Sequence, residues 1–133
     1  FSYRIYDALL DLWIWNIKRK YRGLAKKVVE EIRDYKDSGF EVIGIVGIDG
    51  SPSCGVNQTL DMKTLFERVS EKDVGSLTRE ENNQLVTESL TDGKGYFVQE
   101  LQDGLRKWNL NTRFYAHSLS GEMKGEKSSL KIP

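Results

Sequence analysis

The chain has 133 residues, of which 38% are hydrophobic, and twenty Lys and Arg residues balance twenty Asp and Glu residues. This length suits one domain with a modest core, and the balanced charge creates no overall field that would attract nucleic acid or an anionic membrane. A single cysteine excludes an internal disulfide and every CxxC metal motif, and no apolar stretch approaches the ~20 residues of a membrane span. We therefore expect one domain in a reducing cytoplasm, with no nucleic-acid or membrane partner, whose function depends on a local site.

Aromatic side chains crowd the first fifteen residues. They are Phe1, Tyr3, Tyr6, Trp13 and Trp15. Such a composition indicates packing against a sheet or a partner subunit, or a stacking platform for a ring-shaped ligand. Asp7 is placed to cap a short helix within this segment.

An amphipathic helix is predicted from residue 17 to residue 35. Its apolar positions recur at steps of three and four, and charged residues fill the other face. The stripe consists of Ile17, Tyr21, Leu24, Ala25, Val28, Val29, Ile32 and Tyr35. Ser38 and Gly39 end the helix, and Gly39 suits the left-handed position just past a helix terminus.

A buried strand is predicted at residues 40–48, where the sequence FEVIGIVGI is apolar except for Glu41 and two glycines. Near-continuous hydrophobicity of this kind is typical of a parallel strand covered on both faces. The strand opens into the polar loop at residues 49–55, DGSPSCG. Ligands of α/β sheets bind beyond the carboxyl ends of the strands, so the loop is the expected site.

The rest of the chain predicts three helices and a second strand. Asp61 can cap a short helix that carries Met62, Leu65, Phe66 and Val69. Thr78 and Glu81 have the spacing of a capping box, which predicts a surface helix to about Leu90 within a polar excursion over residues 70–95, a candidate lid. A further helix at 96–108 leads to a strand at 112–116, and residues 117–133 are expected to form a flexible tail.

This order predicts one right-handed βαβ crossover. Two parallel strands alone leave unpaired edges and a half-covered face. We therefore expect a Rossmann-like, three-layer α/β fold whose sheet is incomplete in this chain. The missing strands would come from an N-terminal portion of a longer protein or from a partner chain, for which a homodimer is one arrangement.

Familiar phosphate-binding loops do not fit residues 49–55. Gly50 and Gly55 have the GxxxxG spacing of a Walker loop, but Val56 and Asn57 stand where Lys and Ser or Thr are required. A phosphatase loop with a cysteine nucleophile would need an arginine where Leu60 stands. The segment also lacks a GxSxG nucleophile elbow.

Three chemical interpretations of the loop stay open. Its glycines and proline can direct several backbone amides at one anion or sulfur atom, with Ser51 and Ser53 adding hydroxyl donors. Cys54 can act as a thiolate nucleophile or metal ligand, or it can be a small buried apolar residue. A Cys54–His117 pair is also feasible, because neighbouring parallel strands would bring both residues to one sheet edge.

Three segments together resemble a known family. They are LAKKVVEEIRDY at residues 24–35, IVGIDGSPSCGVN at 45–57 and GYFVQELQDGL at 95–105. The chain is similar to the thiouracil desulfurase family over about residues 17–116, and most of all to a related branch of proposed desulfidases. SPSCG is the most specific part of this resemblance.

The resemblance implies an α/β protein with a [4Fe-4S] cluster on three cysteines, whose open iron takes sulfur from a thiolated base or similar substrate. It implies Cys54 as one metal ligand, with Gly55 beside it in the cofactor site. Ser51 and Ser53 would hydrogen-bond around the cluster, and Asp49 would orient the loop or relay a proton.

The chain departs from the family in having no second cysteine. The cluster cannot be built from this chain alone, so we expect it to be the C-terminal part of a longer protein and inactive by itself. The expected substrate is a thiolated small molecule such as a thiolated nucleobase. The alternatives are a non-catalytic module that binds a small molecule or anion, and a dimerising structural fragment.

Overall fold

The computed structural model describes residues 3–127, 130 and 132, excepting the side chains of Tyr3 and Met123, so Phe1 of the aromatic segment lies outside the described residues. The described part is an α/β structure. Its helices are α1 (Tyr3–Asp37), α2 (Met62–Ser70), α3 (Arg79–Glu88), α4 (Tyr96–Lys107) and α5 (Leu119–Met123), with a 3-10 turn at Val74–Ser76. Its strands are β1 (Ile45–Asp49), β2 (Gln58–Leu60), β3 (Leu90–Asp92) and β4 (Phe114–Ser118).

Helix α1 is longer than the sequence pattern predicted. It runs without interruption from Tyr3 to Asp37, so the expected separate short helix capped by Asp7 is wrong. Asp7 lies inside the helix, where its carboxylate is 3.5 Å from Lys63 Nζ. The predicted end is confirmed, because Gly39 has φ +86° and the amide of Phe40 donates to the carbonyl of Tyr35 at 2.9 Å.

The core lies between α1, α4 and one face of the β1–β4 sheet. Its buried members are Ala25, Val29, Ile32, Leu101 and Leu105, with Val42, Ile45, Phe97 and Phe114 packed against them. Each fully buried aliphatic side chain stabilises the fold by about 1.5–3 kcal/mol. The two helices approach closely at Gly104, where an added Cβ would lie 3.0 Å from Val29 Cγ2.

Strands β1 and β4 are parallel neighbours, as the βαβ prediction requires, with Ile45 opposite Phe114 and Asp49 opposite Ser118. The predicted strand start at residue 40 is wrong, because β1 begins at Ile45 and residues 40–44 make no strand pairing. The sheet has only these two strands among the described residues, and one of its faces is uncovered, as expected for a sheet that is incomplete in this chain. Helices cover the face that carries Ile45, whereas Val46 and Ile48 on the opposite face are 47% and 41% exposed.

A second, antiparallel pair of strands was not predicted. Strand β2 pairs with β3, so residues 70–95 return to the body of the protein and do not form a free lid. Both predicted caps are confirmed. Asp61 accepts from the amide of Thr64, and Thr78 and Glu81 form both halves of a capping box before α3.

The expected flexible tail at residues 117–133 is wrong at its start. Residues 117 and 118 belong to β4, and α5 follows directly, capped by the side chain of Ser118. Of the remaining tail, residues 128, 129, 131 and 133 lie outside the described residues. Within the described part, no helix combines the length and the apolar character that crossing a membrane requires.

Candidate functional site

The loop at residues 49–55 folds back along β1. The amide of Ile45 donates to the carbonyl of Arg113, next to β4. Successive amides of a strand point to opposite edges, so the amide of Ile48 faces the other edge of β1. There it donates to the carbonyl of Cys54 at 2.8 Å. Gly47 permits this return, because a Cβ there would lie 2.4 Å from the Cys54 carbonyl oxygen. The loop therefore closes part of the open edge of β1.

Asp49 holds the loop together through one carboxylate oxygen. Its Oδ1 accepts the amides of Val56 and Asn57 at 2.9 Å each and that of Gln58 at 3.3 Å. Charge-assisted hydrogen bonds of this kind are about twice as strong as neutral ones. These three bonds support the predicted role of Asp49 in orienting the loop. Its role in proton relay stays a prediction.

The Ser53 hydroxyl lies beside the thiol of Cys54, and the Ser51 hydroxyl lies beside that of Ser53; their predicted hydrogen bonds around a cluster stay a prediction. Ser53 Oγ is 3.3 Å from Cys54 Sγ and 3.3 Å from Ser51 Oγ. Ser51 Oγ also accepts the amides of Ser53 at 3.4 Å and Cys54 at 3.2 Å. Cys54 is a half-buried free thiol, so its interpretation as a fully buried apolar residue is wrong.

The loop is joined to the amino terminus of α4, which sequence reasoning did not predict. The amide of Tyr96 donates to the carbonyl of Pro52 at 3.0 Å, and the amides of Phe97 and Val98 donate to the carbonyl of Ser53 at 3.0 and 3.2 Å. The loop thus satisfies amides that a helix start leaves unpaired. It also orients the positive end of the helix dipole toward the cysteine loop.

Gly95 makes this junction sterically feasible. A Cβ at this position would lie 2.4 Å from both the carbonyl carbon and oxygen of Ser53. The only sequence signal for this role is a glycine immediately before an amphipathic helix. Tyr96 follows it, and burial, followed by the nearby Asp61 carboxylate, raises the pKa of the Tyr96 phenol.

The loop has no free backbone amide with which to bind an anion, contrary to the predicted anion cradle. Every N–H from residue 50 to residue 58 donates within the loop and the strands beside it, and Pro52 has none. The acceptors are the Gln58, Ile48 and Ser51 carbonyls, the Ser51 hydroxyl and the Asp49 carboxylate. Asp49 itself therefore occupies the position that an external anion would take.

The structure does not bring His117 and Cys54 together as a pair. The two strands are adjacent as predicted, and Ile48 is opposite His117 in the register. The loop, however, lies on the face toward which a side chain at Gly47 would point, and neighbouring residues of a strand face opposite sides. His117 instead places Nε2 3.2 Å from the carboxylate of Glu122 in α5.

A metal centre would need further donor side chains close to one another. Among residues 3–127, 130 and 132, no group of three or more His, Cys, Asp or Glu side chains is arranged to hold a metal ion. Comparison with protein-family models, curated proteins and solved structures gives no match.

Proposed function

We propose that this chain is a sulfur-handling module whose reactive group is the thiol of Cys54. The observation that carries the proposal is that the backbone amides of the loop and the Asp49 carboxylate already have hydrogen-bond partners within the protein. Backbone amides and the Asp49 carboxylate are engaged in holding the loop, whereas the one hydrogen-bond partner of Cys54 Sγ among the described residues is the neighbouring Ser53 hydroxyl. A rigidly held, half-buried thiol is suited to bind a soft metal or a sulfur-bearing molecule.

The substrate class that we propose is a thiolated small molecule, such as a thiolated nucleobase, from which sulfur is removed. This assignment depends on the DGSPSCGVN resemblance at residues 49–57. The proposal also requires a reducing compartment such as the cytoplasm, because a lone working thiol must stay reduced.

A [4Fe-4S] cluster held on three cysteines does not fit the donors of this chain. The sequence contains one cysteine, so Cys54 can serve as one ligand and the other thiolates would come from outside these 133 residues. Gly55 has a structural reason to be glycine, since a Cβ there would lie 2.2 Å from the carbonyl oxygen of Gln58. Its place in a cofactor site stays a proposal, as does direct participation of Ser51 or Ser53 in the chemistry.

We also propose that the β1–β4 sheet belongs to a three-layer, Rossmann-like arrangement. Parallel strands are ordinarily covered on both faces, and the exposed Val46 and Ile48 mark the face that lacks its layer in this chain.

The proposal for Cys54 is tested by anaerobic reconstitution of the chain with iron, sulfide and excess glutathione, which supplies thiolates from outside. The wild type should retain iron and acid-labile sulfide after desalting, and Cys54→Ser should lose both. Ser70→Ala is a matched control, because the Ser70 hydroxyl donates to the carbonyl of Glu67 within its own helix turn, at the last residue of α2. Equal iron on the wild type and Cys54→Ser would refute the assignment.

A second measurement addresses the substrate. Preparations that retain iron are incubated with thiouracil, and released sulfide is measured against the Cys54→Ser variant. Release that depends on Cys54 supports the desulfidase class. Iron binding without release would keep Cys54 as a ligand and remove thiouracil as the substrate.

A further inference from the structure

A groove runs between helices α1 and α4. Its walls come from residues between 19 and 29 of α1 and between 100 and 108 at the end of α4, and we call it the helix groove. Small residues keep it open, because Gly23 and Gly104 have no side chain and Ala25 has only a methyl group. Its volume of about 710 Å³ lies within the ~300–1,000 Å³ range of small-molecule sites.

The helix groove carries a positive charge that the chain as a whole lacks. Four cationic side chains line it against two carboxylates, whereas the formal net charge of the chain is zero. Both carboxylates already have partners. Glu100 is 3.2 Å from Arg22 Nε, and Asp103 accepts from the side-chain amide of Gln99 at 3.1 Å.

The other three cations of the helix groove are Arg19, Lys26 and Lys107. Within the part of the chain that the structure describes, none of them forms an ion pair with a carboxylate. Their charges therefore add to one another in the groove, where a bound anion would balance them.

An aromatic ring lies at the end of the helix groove. Trp108 directly follows α4 and is 48% exposed. The guanidinium carbon of Arg33 lies 3.8 Å from the centroid of the Trp108 ring, a cation–π contact that fixes one face of the indole. The opposite face is left for a second planar group to stack on.

We propose that the helix groove binds a small organic anion that carries a planar ring beside its charged group, as a nucleoside monophosphate does. Lys26 and Lys107 stand on opposite walls, so one anionic group can pair with both. The ring then lies against Trp108, which follows Lys107 in the chain. Small-molecule sites have this composition, in which a neutral floor carries a few polar groups that orient the ligand.

The helix groove is separate from the cysteine loop. The loop is bonded to the first residues of α4, at Tyr96 and Phe97, whereas the groove extends to the other end of the same helix. Helix α4 has 12 residues and is about 18 Å long. The proposal therefore does not depend on the chemistry of Cys54, and either one can fail without the other.

The test measures binding of adenosine monophosphate to the full chain by isothermal titration calorimetry, with adenosine and inorganic phosphate as the two halves of the probe. The monophosphate should bind saturably and at least about tenfold more tightly than either half. Lys26→Ala and Lys107→Ala should each weaken its binding at least about fivefold. Lys27→Ala is the matched control, because Lys27 is an exposed cation of the same helix that does not line the groove.

Three further variants locate the probe. Trp108→Ala should weaken monophosphate binding at least about fivefold, whereas Trp108→Phe keeps a ring and should stay within about twofold of wild type. Gly23→Leu should fill part of the groove and weaken binding without harming the fold, because a Cβ at Gly23 meets nothing within 4 Å. Far-UV circular dichroism checks folding of each variant.

Four results would each overturn the proposal. They are the absence of saturable monophosphate binding, an equal loss in Lys27→Ala and Lys26→Ala, unimpaired binding by Gly23→Leu, and binding of the polyanion heparin without binding of the monophosphate. Cys54→Ser should bind the monophosphate as the wild type does, which separates this result from the test of the thiol.

Discussion

The carboxylate of Asp49 should be a main determinant of the geometry around Cys54. Its Oδ1 accepts three successive amides, two at 2.9 Å and one at 3.3 Å. Hydrogen bonds to a charged group contribute about 1.5–3 kcal/mol each, but the exposed Asn57 amide can exchange its bond for water and the Gln58 bond is long and weak at 3.3 Å. Removing the carboxylate in Asp49→Ala should therefore lower the free energy of unfolding by about 2–4 kcal/mol.

Asp49→Asn provides the graded comparison. Its amide oxygen can still accept hydrogen bonds, but neutral ones are about half as strong, so a loss of about 1–2 kcal/mol is expected. Urea unfolding, with m values compared among the variants, measures these losses. The rate of Cys54 alkylation by iodoacetamide reports the local effect. That rate should rise in Asp49→Ala, because a loop released from Val56 and Asn57 exposes the half-buried thiol.

An unfolding free energy of Asp49→Ala within about 0.5 kcal/mol of wild type, with unchanged Cys54 alkylation, would refute this reasoning. The same two variants separate orientation from proton relay. If Asp49 only orients the loop, sulfide release from thiouracil should decline in parallel with stability. If it relays a proton, Asp49→Asn should abolish release although it loses only about 1–2 kcal/mol of stability.

Four further substitutions test other parts of the structure. Gly95→Ala should destabilise by about 2–3 kcal/mol, because its Cβ would meet the Ser53 carbonyl, whereas Gly23→Ala in the open middle of α1 should stabilise by about 0.5–1 kcal/mol. Tyr115→Phe should keep or raise stability by up to about 1 kcal/mol, since the buried Tyr115 hydroxyl has no partner among the described residues, and a larger loss in urea unfolding would contradict this. Tyr96 stabilises the fold fully below its ordinary pKa, and this contribution should be lost as the pH rises through the raised folded-state pKa. Tyr96→Phe should therefore lose less stability than wild type on alkaline titration, and identical profiles would refute the assignment.

The elements that the sequence predicted well are those specified by neighbouring residues. The caps at Asp61 and Thr78 each depend on bonds three residues apart, and the α4 stripe repeats within one helix. The extension of α1 to Tyr3 was missed because aromatic residues on several sides of a helix obscure its period. Strands β2 and β3 have three residues each, too few to show an alternating pattern.

The site shows the same division between local and distant interactions. The motif alone identified Ser51, Ser53 and Cys54 as neighbours. In the structure, Ser53 Oγ is 3.3 Å from Ser51 Oγ and 3.3 Å from Cys54 Sγ. The contact between the cysteine loop and the start of α4 at Gly95 was not predictable. Forty positions separate Gly55 from Gly95, and no local sequence rule connects them. The start of β1 was misjudged for a related reason: an apolar run shows that residues are suited to burial but not which strand they pair with.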